Sequence, residues 1–261
     1  MQPIHKSEEL LNLLQDQIVH ENVCTDFEFI QFIREINKYS IGLEKNYLKA
    51  LAYSLYNNIE QAINFFELSL QFNNVDYARN YLAVINQRSS NKKYLKLLYR
   101  FADEYESVSF TLLAYQASVY TANLKLAEHY LNKISKLSNK EKADKYKNDF
   151  ERTKSALLKY CFLSGLNEDE LMKLVSMAIS ILDNHQVKIV GVNYTNASVH
   201  NEESNIFIMT AECDDADILS EMNLQLASEL AEHKEFLGKN FSIFINGVDD
   251  VSKLKEGLTW L

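Results

Sequence analysis

The sequence predicts an α-helical repeat followed by a small α+β domain with a three-stranded mixed sheet. Three observations carry this reading. Helix breakers are scarce, with one Pro and six Gly in 261 residues, which favours long helices and short connections. A small-or-apolar signature recurs about every 33 residues in the first half. The charge balance changes near Gly165, and the hydrophobic period changes after Leu182. Residues 1–165 hold 21 Lys+Arg against 19 Asp+Glu, and residues 166–261 hold 6 against 17, within a net charge of −9. Such a break marks a domain boundary, so the chain divides into 1–165 and 166–261.

The recurring signature is one residue, a second four positions on and a third three further, a spacing that keeps all three on one helical face. It occurs at Phe29, Ile33 and Ile36; at Ala62, Phe66 and Ser69; at Leu95, Tyr99 and Ala102; and at Ala127, Leu131 and Ile134. A period of this length suits a helix–turn–helix unit stacked on its neighbours. Asn57-Asn58, Asn73-Asn74 and Ser89-Ser90-Asn91 lie between the apolar runs, where turns and N-caps favour such side chains. A long helix over Asn139–Leu163 follows, polar early and apolar late, fit to cap the array. The many aromatics, Phe65, Phe66, Tyr81, Tyr94, Tyr99 and Tyr130 among them, are read as hairpin core.

The segment Tyr47–Tyr53 followed by Ala62, Phe66 and Ser69 resembles a tetratricopeptide repeat. Ala50 and Tyr53 match the family's small residue and tyrosine on the first helix, and Ala62, Phe66 and Ser69 match its second. The resemblance covers about residues 7–136. It implies a solenoid whose first helices line a concave groove for a protein or peptide partner, with Tyr47, Leu51, Tyr77, Asn80, Val84, Gln116 and Tyr120 at the groove positions. The family's carboxylate clamp uses Lys and Arg at such places. None stands there in this chain, so an extended segment or an amphipathic helix is the expected occupant.

Beyond Gly165, Asn167 caps a helix whose first turn carries Glu168, Asp169 and Glu170, where the helix dipole favours anions. Leu171, Leu174, Val175, Ala178, Ile179 and Leu182 make its apolar stripe. The period then shortens to two. Val187–Tyr194, Asn205–Ala211 and Phe241–Asn246 read as strands, with a polar turn at His200–Ser204 between the first two. A helix runs from about Cys213 to His233, Gly238-Lys239-Asn240 turns the chain, and Asp249-Asp250 opens a short last helix. The strands are apolar on both faces, so both need cover. Two helices could cover one face each. If they share a face, the other meets the helical stack or a second copy, through a homodimer at the C-terminal sheet.

The patterns point away from most chemistry. Cys24, Cys161 and Cys213 are few and far apart, which fits a reducing, cytoplasmic compartment. No stretch is apolar enough to span a membrane. No glycine loop for phosphate, zinc spacing or serine elbow is present, so no catalytic residue, metal ligand or cofactor is assigned. Overall acidity argues against nucleic acid, although residues 136–159 hold eight basic and four acidic side chains. Three function classes follow. The first is a non-catalytic interaction module, adaptor or chaperone-like. The second is an enzyme or ligand sensor with a metal-dependent site at Glu212, Asp214, Asp215 and Asp217. The third is an acidic inhibitor that mimics nucleic acid.

Overall fold

Short polar side chains set the helix boundaries. Asn57 and Asn73 adopt the left-handed conformation (φ 58° and 51°), which asparagine tolerates better than most residues. The next residue in each case, Asn58 and Asn74, then caps a helix through its side-chain oxygen. Thr25, Ser90, Asn123, Asn139 and Asn167 cap others in the same way. Each cap contributes about 1 kcal/mol.

The computed structural model describes residues 3–199 and 202–248. Among them are eleven α-helices, ten of which lead in a series of packed hairpins to a three-stranded mixed sheet, with the eleventh between its second and third strands. The chain forms two compact units, Met1–Ser89 and Ser90–Leu261. The first holds α1 (Pro3–Val19), α2 (Asp26–Tyr39), α3 (Gly42–Leu55), α4 (Ile59–Ser69) and α5 (Val75–Arg88). The second holds α6 (Asn91–Glu104), α7 (Val108–Tyr120), α8 (Leu124–Leu137), α9 (Lys140–Ser164), α10 (Glu168–Asn184), β1 (Ile189–Val199), β2 (Glu202–Ala211), α11 (Ala216–Glu232) and β3 (Ser242–Asn246). The charge break near Gly165 thus falls where hairpins give way to the α+β segment, while compactness groups α6–α9 with the sheet.

The repeated signature lies on α2, α4, α6 and α8. Ala62, Phe66 and Ser69 are fully buried, as are Ala127 and Ile134. In the first unit α3 is central: it packs on α1, α2, α4 and α5. Aromatic rings close the seams, with Phe66 stacked on Tyr81 at 4.6 Å and Phe29 on Tyr56 at 4.2 Å. Full burial of a side chain of this size is worth about 1.5–3 kcal/mol.

In the second unit the early half of α9 meets α7, where Tyr115 contacts Tyr146 and Phe150. Its late half meets the sheet, where the Tyr160 ring lies 5.3 Å from that of Tyr194. The helix expected to cap the array therefore joins hairpins to sheet. Buried Asn91 fixes this junction from the other side. Its amide donates to Asp183 Oδ1 and to the Val187 carbonyl (both 2.8 Å) and accepts from Ile189 N–H at 3.1 Å. The start of α6 is thereby tied to the end of α10 and to the first residue of β1.

The sheet order is β1-β2-β3, antiparallel between β1 and β2 and parallel between β2 and β3. The parallel pair needs the α11 crossover. Asn205, Phe207, Met209 and Ala211 are buried on the face under the helices. On the opposite face Ile206 and Ile208 are half-buried and Phe244 is exposed. Of the two coverings considered, the helices share one face. The first hairpin is longer than expected: Glu202–Ser204, read as turn, pair with Ala197–Val199. Asn205 supports the extension from inside, accepting from Asn196 Nδ2 at 2.6 Å and donating to the Asn240 carbonyl at 3.0 Å. The helix expected from Asp249-Asp250 lies outside the described residues.

Candidate functional site

The first helices α1, α3 and α5 lie side by side, with α3 in contact with both neighbours. One phenol links them. Tyr47 on α3 accepts hydrogen bonds from Gln15 Nε2 on α1 (3.1 Å) and from Asn80 Nδ2 on α5. Its ring stacks on that of Tyr77 at 3.8 Å and 8°. Nearer the N-terminus, Ser7 donates to Glu44 at 2.7 Å and lies 3.0 Å from the Ser40 hydroxyl. Tyr47 is only 1% exposed, and burial pushes its phenol up to about 12 against the opposite pull of the two amide donors. Burial, then the nearby Glu44 carboxylate, also raises Tyr77.

The structure sorts the expected groove residues by exposure. Leu51 and Val84 are fully buried and Tyr47 nearly so, because neighbouring helices close over those turns. These three belong to the interior and support the layer; they are not a contact surface for a partner. Tyr77 and Asn80 are half-buried and remain at the surface. Gln116 and Tyr120 are exposed on α7, in the second unit. Sequence reasoning missed Gln15 and Glu44, which are half-buried beside this network. Their signal was a polar side chain near the apolar positions of α1 and α3.

What the layer offers chemically is an aromatic face at Tyr77, amide groups at Asn80 and Gln15, and a carboxylate at Glu44. Amides present both donors and acceptors, the groups needed to meet a peptide main chain.

The remaining clusters have local structural work. Asp215 caps α11, accepting from Asp217 N–H and Ile218 N–H at 2.9 and 3.2 Å. Among the described residues no three His, Cys, Asp or Glu side chains gather as a metal site. All three cysteines carry buried free thiols. Burial raises Cys24, and pushes Cys161 up to about 11, so both are poor nucleophiles at neutral pH. No described helix is long and apolar enough to cross a membrane.

No family model matches the chain, and comparison with curated proteins and with solved structures finds no match.

Proposed function

We propose that the chain is a non-catalytic polypeptide-binding protein, adaptor or chaperone-like, which takes an extended segment of a partner along α1, α3 and α5. One observation carries this: the Gln15–Tyr47–Asn80 hydrogen-bond chain with Tyr77 stacked upon it. Three helices are held in register by groups whose remaining amide valences and aromatic face are accessible. A pre-ordered polar surface loses little entropy when a peptide binds. Buried free thiols fit a reducing, cytoplasmic setting.

The test is site-specific photo-crosslinking in lysate of the source cells, using Tyr77→p-benzoylphenylalanine and, as control, Glu60→p-benzoylphenylalanine on α4. Adducts with a defined protein should form from position 77 and fall several-fold when Asn80→Ala is added. Equal adduct yield from both positions would refute the assignment.

A further inference from the structure

In a parallel ladder, successive residues direct their N–H and C=O alternately to one side and the other. Ile245 of β3 points away from β2, and α11 takes up both groups. Its N–H donates to Asn223 Oδ1 and its C=O accepts from Asn223 Nδ2, each at 2.8 Å. One amide side chain stands where the peptide group of a further strand would lie. By the same alternation Ile243 also directs its N–H and C=O outward, and among the described residues neither finds a partner.

This open stretch of edge faces a groove of about 410 Å³ between β3 and the late turns of α11. Ala227, Leu230, Ala231, Leu237, Phe241 and Ile243 line it. Proteins usually blunt a free edge with lysine, proline or a bulge. Here the wall is alanine and leucine, and Leu237 is 67% exposed. Lys239 also lines the groove, but its ammonium is engaged on Glu170 at 2.5 Å and the Gly165 carbonyl at 2.7 Å.

We infer that this groove is a second polypeptide site, which takes an extended, cationic segment of a partner protein as a fourth strand beside β3. The occupant follows from two kinds of complementarity. An outward N–H and C=O on one residue are matched by an extended main chain, since a helix has already spent both groups internally. Charge sets the sign. Residues 166–261 hold 6 Lys+Arg against 17 Asp+Glu. Asp217, Glu221 and Glu232 are exposed on α11, while Lys173 is paired with Glu235. The small side chains Ala227 and Ala231 leave room for a strand without moving the helix. The site lies wholly in the second unit and is independent of the α1/α3/α5 reading.

The test uses the full chain and a capped peptide of alternating valine and lysine, with amide hydrogen exchange followed by NMR. With the peptide at about ten times its Kd, exchange at Ile243 should slow roughly tenfold, while α5 amides are unchanged. Ala231→Trp fills the groove from an exposed position and should abolish the effect. Ile243→Pro, which removes the outward donor but no β2–β3 bond, should abolish the peptide-induced shifts of the Ala227 and Ala231 amides; retained protection in β2 shows that the fold survives. No slowing with the peptide overturns the proposal. Equal slowing with an alternating valine–glutamate peptide overturns its charge preference. An Ile243 amide already protected without peptide also overturns it: dependence on protein concentration would assign the edge to a second copy, and independence to the chain itself.

Discussion

Replacing Asn91 with alanine should cost the second unit about 3–7 kcal/mol. The side chain is 4% exposed and makes three hydrogen bonds, to Asp183, Val187 and Ile189. The lost bond to Asp183 contributes about 1 kcal/mol net, and each buried group left without a partner costs roughly 1–3 kcal/mol. Two groups are exposed to that penalty, the Val187 carbonyl and the Ile189 N–H. Asp183 is not orphaned, because it still accepts from the backbone N–H groups of Asn91 and Lys92 at 2.6 and 3.2 Å. Against total stabilities of about 5–15 kcal/mol for a domain, the loss is large. The assay is urea denaturation followed by circular dichroism, with amide exchange at Ile189 as the local probe. The expected outcome is a lower midpoint at unchanged slope and faster exchange at Ile189. A loss below about 1 kcal/mol with Ile189 protection intact would refute the claim that Asn91 joins α6 to the sheet.

Gly247→Ala should destabilise the same unit by roughly 1–3 kcal/mol, because its Cβ would collide with the Cys213 carbonyl and Leu219 Cδ1 and disturb the 3.0 Å bond from Val248 N–H to that carbonyl; thermal melts check it. Ala122→Gly should raise stability by up to about 1 kcal/mol, since Ala122 sits at φ 57° in the turn before α8; an unchanged or lower midpoint would show that its buried methyl group outweighs the strain. Stability should fall as pH rises above 10. Burial pushes Tyr47, Tyr94 and Tyr115 up to about 12 in the folded chain, against 10 when free. The unfolded state therefore ionises first, and the contribution present below pH 10 is lost through about pH 12; melting temperature against pH, with phenolate absorbance, tests this.

The parts of the fold legible in the sequence are those governed by neighbours close along the chain. Asn58, Asn74 and Ser90 announced their helices because a cap acts within three residues. The stripe from Leu171 to Leu182 is buried throughout, as its period required. What stayed hidden depends on groups distant in sequence. Asn91 meets partners more than ninety positions away, and nothing about an isolated asparagine after two serines reveals them. Asn223 interrupts an apolar helix face, yet its pairing with the edge of β3 needs the crossover to be built first. Glu202–Ser204 read as a turn by composition, but a cross-strand amide pair at Asn196 and Asn205 carries the ladder past them. At the candidate site, family resemblance pointed to the first helix of each hairpin. It could not separate Leu51 and Val84, closed over by neighbours, from Tyr77 and Asn80 at the surface.

The central claim is that α1, α3 and α5 present the binding face. Its most direct test is hydrogen–deuterium exchange of the full chain with and without the protein cross-linked from position 77. The expected result is new protection in α1, α3 and α5, centred on residues 77–80, with α2 and α4 unchanged. Protection confined to α2 and α4, or to neither layer of the first unit, would contradict it.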